Sequence, residues 1–313
     1  MKILLCSNHA TLAFDLLKSQ LSDYEIITCA SDAVARNLDG VEIIIPWTAK
    51  INSSIIVSGK FGFIQEFGVG IETIDVEAAT NAGVWVANVP GSISGNADSV
   101  AEHAIMLMLM LSRHMASIRE QSQNIDWSIT TGIALAGKTA CIVGLGHVGV
   151  ALAVRLKAFG MDLVAVRQHP ERGSPPQTGI KKVYGSNALC EALSIADYVI
   201  LCSEYTTNTH HVINQNTLAA IKPGAFLINV ARGGLVDTEA LEAALEKGNL
   251  AGVGLDFVDS PTDSLRQQNV IITPHIAATT EVSYGGIATV VVENIKRYAR
   301  GEQPRYTVNT PHK

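Results

Sequence analysis

The chain has 313 residues, 47% of them hydrophobic and 17% charged, with a formal net charge of −6. At roughly 100–200 residues per domain this length fits two domains, and the apolar fraction can bury real cores, which excludes disorder as the main state. The balance of 23 basic against 29 acidic residues, without a Lys/Arg run, argues against nucleic acid as a partner, and the longest wholly apolar run, Ala104–Leu111, falls far short of the ~20 residues of a membrane span.

At the amino end, Met1-Lys2 precedes only Ile3-Leu4-Leu5-Cys6 before polar Ser7-Asn8-His9. That is too short for a signal-peptide core, so a cytoplasmic protein is expected. Short β-branched runs then alternate with helical segments, the pattern of parallel sheets covered by helices. Strands are expected near Lys2–Cys6, Glu25–Thr28, Glu42–Ile45, Phe63–Gln65 and Val84–Ala87, with helices near Ala10–Gln20 and Asp75–Asn81. Ile51–Val57 is open between a strand, by its Ile and Val content, and a short helix, by its place in the alternation. Ser99–Met115 reads as a long helix opened by a Ser99-Val100-Ala101-Glu102 capping box. It holds four of the six methionines (Met106, Met108, Met110, Met115), which fits buried packing better than a cofactor box. Being apolar all round, it is expected to be buried between domains or subunits.

Polar Arg119–Thr131 reads as a connector, and a second alternating series follows. Its strands are Thr139–Val143, Asp162–Val166, Lys182–Tyr184, Tyr198–Cys202, Ala225–Asn229, Gly252–Leu255 and Val270–Thr273. Its helices are His147–Phe159, Asn187–Leu193, Asn214–Ile221 and Asp237–Lys247, and a last helix covers about Thr280–Arg300. The five cysteines (Cys6, Cys29, Cys141, Cys190, Cys202) are odd in number, widely spaced and without C-x-x-C, which points to reduced thiols and no metal site.

Gly144-Leu145-Gly146-His147-Val148-Gly149 is a G-x-G-x-x-G run between a strand and a helix, with another strand beyond: the context a dinucleotide loop requires. Gly144 permits the tight turn, Gly146 lets the backbone approach a pyrophosphate, and Gly149 lets helix and strand pack closely. The helix N-terminus adds free N–H groups. An acid ending the second strand would accept bonds from the ribose 2′-hydroxyl of NAD. Arg167 stands there instead, and its guanidinium suits a 2′-phosphate, with Arg172 a possible second cation. NADP(H) is therefore favoured, NAD(H) remaining possible.

Two further segments carry chemistry. Arg232, in Ile228–Asp237, follows a strand end, where parallel sheets place ligands, and its planar fork suits a carboxylate. His275, in Thr273-Pro274-His275-Ile276-Ala277, follows another strand and can protonate a developing alkoxide near neutral pH.

With Gly68–Asp75, Ser99–His103, Gly144–Gly149, Asn229–Asp237, Gly254-Leu255-Asp256 and Thr273–Ala277, nearly the whole chain resembles the D-isomer-specific 2-hydroxyacid dehydrogenases. The resemblance implies an α/β fold of two Rossmann-like domains with parallel sheets. Residues 1–96 and 283–313 would form a flavodoxin-like substrate domain, and residues 97–282 an NAD(P)-binding Rossmann domain. It implies that Arg232 binds the substrate carboxylate and polarises its 2-oxo group, that His275 is the acid–base group, and that the Val69 and Gly70 amides hold the carboxylate. Asp256 would contact the nicotinamide side, with Ser99, Cys202 and Val230 beside the cofactor. Trp47 is a candidate specificity residue or an edge-packing tryptophan. Family members usually have a Glu directly before a Pro shortly after the position of Asp256. Here Ser260 precedes Pro261, so Asp259, or less directly Asp263, would take that carboxylate's role. Glu204 stands where the family often has proline, and an anion there would oppose a phosphate unless it faces solvent. The implied activity is reduction of a small 2-oxo acid, such as glyoxylate or hydroxypyruvate, by a cytoplasmic homodimer. The alternatives are formate or phosphite oxidation on the same fold, or a non-catalytic dinucleotide sensor resembling corepressors.

Overall fold

The computed structural model describes residues 1–115, 118, 131–257 and 269–312. It divides into two compact units, Met1–Asn96 with Thr279–Lys313, and Ala97–Ala278. The return to the first unit falls at Thr279, four residues ahead of the position read from sequence. The connector at 119–130 lies outside the described residues.

The first unit is built on β1 (Lys2–Leu5), β2 (Glu25–Thr28), β3 (Ile43–Ile45), β4 (Phe63–Gln65) and β5 (Trp85–Ala87). They form one parallel sheet in the order β2-β1-β3-β4-β5. The strand order reverses between β1 and β3, the flavodoxin-like arrangement, and ligands of such sheets sit at the carboxyl ends beside that reversal. Every residue of β3 and β4 is buried, because helices cover both faces of the sheet. On one face α1 (Thr11–Gln20) brings Ala13 and Leu17 against Ile287, Val291 and Ile295 of the C-terminal helix. On the other face lie Ile56 of α2 (Ser53–Ser58) and Ala79 of α3 (Val76–Asn81). The ambiguous 51–57 segment uses both of its tendencies in turn. Ile51 forms a lone parallel bridge with Ile74, and then the Asn52 side chain accepts from Ile55 N–H and starts α2.

The second unit opens with α4 (Asn96–Ser112). This corrects the expected start at Ser99: Gly95 makes the turn with φ +72°, and Ser99 lies inside the helix, 5% exposed. Glu102 is occupied elsewhere, 3.3 Å from Arg155, which also pairs with Asp98 at 2.9 Å. A long-range ion pair has taken the residue that the local pattern assigned to a cap. The methionines are not uniformly buried, since Met108 is fully enclosed and Met106 is 39% exposed.

The sheet of this unit contains β6 (Thr139–Val143), β7 (Asp162–Val166), β8 (Ile180–Tyr184), β9 (Tyr198–Leu201), β10 (Ala225–Asn229), β11 (Leu250–Leu255) and β12 (Val270–Ile272). Its order is β12-β11-β10-β9-β6-β7-β8, parallel throughout. The reversal falls between β6 and β9, which makes it a doubly wound dinucleotide-type sheet. On one face pack α4 and α5 (His147–Ala158). On the other pack α6 (Leu189–Ser194), α7 (Gln215–Ala220) and α8 (Thr238–Glu246). The Asn214 and Asp237 side chains cap α7 and α8.

The C-terminal helix α9 (Glu281–Ala299) is capped by Thr280, which accepts from Ser283 N–H. Its fully buried Asn294 donates to Gln65 Oε1 at 2.7 Å and bonds Arg305 through both backbone groups. Satisfied in this way, the buried amide fixes where α9 lies on β4.

Candidate active site

The G-x-G-x-x-G run is shaped as its chemistry demands. Gly144 has φ +102°, and a Cβ there would strike the Ser203 backbone. A Cβ on Gly149 would strike the Gly144 carbonyl, so the helix sits directly on the strand end. A Cβ on Gly146 would meet nothing within 4 Å. Gly146 is also the extended N-cap of α5, without a side-chain cap. The crest of the loop is therefore open, and the first N–H groups of α5 have no side-chain partner there. The donor set and the open cradle fit a pyrophosphate.

Neighbouring strand ends carry the other candidates along one edge. In spatial order they are Arg167 after β7, the loop after β6, Cys202 after β9, Val230 and Arg232 after β10, Asp256 after β11, and His275 past β12. From β7 to β12 is five strand spacings, roughly 24 Å at about 4.8 Å each.

Arg167 is half-buried, and its Nη1 donates to Gly173 O at 2.9 Å. That bond anchors the guanidinium by one nitrogen. Arg172 is exposed in the short 170–172 turn. Glu204 is exposed, and only its backbone carbonyl is bonded within the loop, to the Thr209 hydroxyl at 2.7 Å. Burial pushes the Cys202 thiol up to about 12, so it is a packing group rather than a nucleophile. Val230 is 7% exposed.

Arg232 begins the short 233–235 turn, braced by Asn229, whose Nδ2 donates to Arg232 O at 2.8 Å and whose Oδ1 accepts from Ala231 N–H at 3.0 Å. Its own Nη1 donates to Ala231 O at 2.9 Å. His275 is a non-glycine residue in the left-handed region, φ +55°, a conformation that persists only where the surroundings enforce it. Asp256, 3% exposed, does the enforcing. Its carbonyl accepts from His275 N–H at 2.7 Å. Its Oδ1 accepts from the Thr273 hydroxyl at 2.6 Å and Ile276 N–H at 2.9 Å, and its Oδ2 from Ala277 N–H at 2.8 Å. Phe257 meets the His275 ring edge-on, centroids 5.1 Å apart. The carboxylate proposed from sequence to orient His275, Asp259, lies outside the described residues, as does Asp263.

In the first unit, Trp47 follows central β3 and packs against the core of that unit. It too is left-handed, φ +59°. Its ring lies 5.2 Å from that of Phe67 and 5.9 Å from that of Tyr284, the latter edge-on. Val69 is 40% exposed. Its carbonyl accepts from Asn88 Nδ2 at 2.7 Å, and Gly68 O accepts from Val89 N–H at 2.8 Å. Among the described residues, neither the Val69 nor the Gly70 amide donates a hydrogen bond. Two adjacent unspent donors on a pinned loop suit an anion.

Sequence reasoning missed His103 and Thr273 as contacts of Asp256, and Tyr284 as a neighbour of Trp47. For Tyr284 no sequence signal existed. His103 and Thr273 both stand inside segments that carry the family resemblance, Ser99–His103 and Thr273–Ala277, but nothing in the sequence pairs them with Asp256.

Comparison with known proteins agrees with this geometry. Residues 105–277 match the sequence model of the D-isomer specific 2-hydroxyacid dehydrogenase, NAD binding domain. The D-3-phosphoglycerate dehydrogenase of Methanocaldococcus jannaschii is 36% identical over 259 residues, 81% of this chain and 48% of that protein. The chain thus spans about half the length of that relative. The glyoxylate reductase of Thermococcus litoralis is 33% identical over 276 residues, 84% of this chain and 81% of that protein. Among solved structures, the D-lactate dehydrogenase of Aquifex aeolicus complexed with NAD and lactic acid aligns with a TM-score of 0.86 at 25% identity, covering 100% of both chains.

Proposed function

Because the chain belongs to the D-isomer specific 2-hydroxyacid dehydrogenases, we propose that it interconverts a small 2-oxo acid, such as glyoxylate or hydroxypyruvate, and the 2-hydroxy acid, with NADPH favoured over NADH. One observation carries the reading: Arg232 and His275 stand at the carboxyl edge of the same sheet as the dinucleotide loop, with β11 between their strands.

A nicotinamide cofactor bound at that edge would supply the hydride for reduction and take it back for oxidation. The Gly144–Gly149 backbone, with His147 and Val148 in the first turn of α5, would hold the pyrophosphate. Arg167 would pair with a ribose 2′-phosphate through the face that Gly173 leaves open. Cys202, Val230 and Asp256 are proposed to flank the cofactor from the ends of β9, β10 and β11, and Ser99 on the family resemblance. Arg232 would grip the substrate carboxylate and place positive charge where the alkoxide develops, the contribution usually largest in such reactions. The Val69 and Gly70 amides are proposed to bind the same carboxylate, and the Trp47 ring to limit the substrate side chain. His275 would give its proton to the 2-oxo oxygen during reduction and remove it from the 2-hydroxyl during oxidation.

A homodimer is proposed as the working form, supported by the exposed Met106 on otherwise largely buried α4. Cytoplasmic residence is proposed from the cysteine pattern. Among the described residues, no helix is long and apolar enough to cross a membrane.

The test is absorbance of the reduced nicotinamide, with NADPH and NADH each offered to a panel of 2-oxo acids, and with formate and phosphite in the opposite direction. Turnover of a 2-oxo acid, faster with NADPH, is expected. Tight cofactor binding without turnover of any compound would leave a dinucleotide sensor instead.

A further inference from the structure

The turn carrying His275 is gripped by Asp256, and Asp256 is met from a third direction. His103 Nε2, on α4, lies 3.0 Å from Thr273 Oγ1 and 3.5 Å from Asp256 Oδ1. The proton count assigns its tautomer. Thr273 has a single hydroxyl proton, and the 2.6 Å contact commits it to Asp256 Oδ1. The 3.0 Å contact is then a hydrogen bond only if Nε2 carries a proton and donates it. Burial holds the imidazole below its ordinary value, against the opposing effect of Asp256, the one charged group facing it among the described residues. Close approach of the elements is built in: a Cβ on Gly254 of β11 would lie 3.1 Å from Leu107 Cβ. His103 stands one helical turn before Leu107, and Asp256 stands two residues past Gly254, on the same face of the strand.

We propose that His103 is a positioning residue for His275: its Nε2–H clamps the Thr273–Asp256 pair from α4 and thereby fixes the left-handed turn that aims the His275 imidazole. The proposal rests on the reading of His275 as the group that protonates the 2-oxo oxygen. His103 touches neither substrate nor cofactor in this role. It supplies one donor to a pair whose remaining bonds define the backbone from 273 to 277.

Three substitutions test it in the full-length chain. His103→Gln places an amide N–H close to the position of Nε2, His103→Asn places one where Nδ1 would be, and His103→Phe keeps a ring without either nitrogen. His103→Phe and His103→Asn are expected to lower kcat by about 10²-fold, the cost of an ångström-scale misplacement, with the KM for cofactor and 2-oxo acid little changed. His103→Gln is expected to recover most of kcat. A ring that merely fills space predicts the opposite order, Phe above Gln, and that order would overturn the proposal.

A readout independent of turnover accompanies these: the imidazole titration of His275 by ¹⁵N NMR, assigned by its loss in His275→Gln. It should move in His103→Phe and stay near wild type in His103→Gln. An unmoved titration in His103→Phe refutes the clamp whether or not the protein is active. A moved titration in a protein that turns over no 2-oxo acid refutes the dehydrogenase reading and leaves the clamp standing. Thr273→Val, which removes the bridging hydroxyl at similar volume, gives the same readout should His103→Phe fail to fold.

Discussion

Asp256→Asn isolates what the buried carboxylate does for the turn that carries His275. The two oxygens of Asp256 accept three hydrogen bonds of 2.6–2.9 Å, from the Thr273 hydroxyl, Ile276 N–H and Ala277 N–H. An asparagine keeps one acceptor oxygen. Its least costly orientation leaves that oxygen with Thr273 and Ile276 and turns the amide N–H₂ towards Ala277 N–H, donor against donor. One buried N–H then loses its partner, at about 1–3 kcal/mol, and the two surviving bonds lose charge assistance worth roughly 1 kcal/mol each. The local loss is about 3–5 kcal/mol, or roughly 10²–10⁴-fold in the opening equilibrium of the turn. Hydrogen exchange followed by mass spectrometry on peptides covering 270–278 measures this directly, with peptides of the fully buried β10 as an internal reference. Exchange at 275–277 should accelerate by that factor while β10 changes far less. Acceleration below about fivefold, under roughly 1 kcal/mol, would show that the carboxylate does not hold the turn, and the account of His275 geometry would fall with it.

Acid should destabilise the unit containing His103. Burial lowers its folded-state value, so as pH falls below about 6.5 the unfolded chain binds the proton first, and stability declines from there down to the folded-state value while staying level above. Urea midpoints at pH 7.5 and 5.5 measure the decline, which should be smaller in His103→Gln; equal declines would exclude His103 as its source. Arg167→Asp should move cofactor preference from NADPH towards NADH by about 10–10²-fold, the worth of the charge-assisted bonds removed; an unchanged kcat/KM ratio would refute the phosphate role. Gly149→Ala drives a Cβ into the Gly144 carbonyl and should cost about 1–3 kcal/mol in the thermal unfolding of the unit, while cofactor affinity by calorimetry falls as well. Trp47→Ala removes a ring packed on Phe67 and Tyr284 and should change the relative kcat/KM for 2-oxo acids of different side-chain size; an unaltered ranking would remove Trp47 from the specificity set.

Local patterns were readable where a segment's own composition decides its structure. Ala225-Phe226-Leu227-Ile228-Asn229 is buried throughout, and a strand covered on both faces must read as an unbroken apolar run. The G-x-G-x-x-G loop was equally legible, since Gly149 answers to the Gly144 carbonyl within one strand–turn–helix unit, although Gly144 also makes room for the Ser203 backbone after β9. Legibility ended where a distant residue competes for a local one. Ser99 and Glu102 satisfy a capping pattern, yet Arg155, 53 residues further along from Glu102, claims the carboxylate, and the helix starts at Asn96. Trp47 was open between two roles because strand order is absent from the sequence; the structure places it after the central strand of its sheet, packed on Phe67 and Tyr284. The His275 clamp is the extreme case, with 170 residues between His103 and Thr273. Asp256 read as a cofactor neighbour, and the structure adds that its carboxylate is bonded to three donors of the turn that carries His275. What joins these residues is the absence of a side chain. Gly254 admits Leu107 of α4 to within 3.1 Å of where its Cβ would be, and that approach brings His103 down onto the end of β11. A glycine in Gly254-Leu255-Asp256 therefore does for the polar network what Gly149 does for the cofactor loop. It sets a distance between backbone elements, and the chemistry beside it depends on that distance.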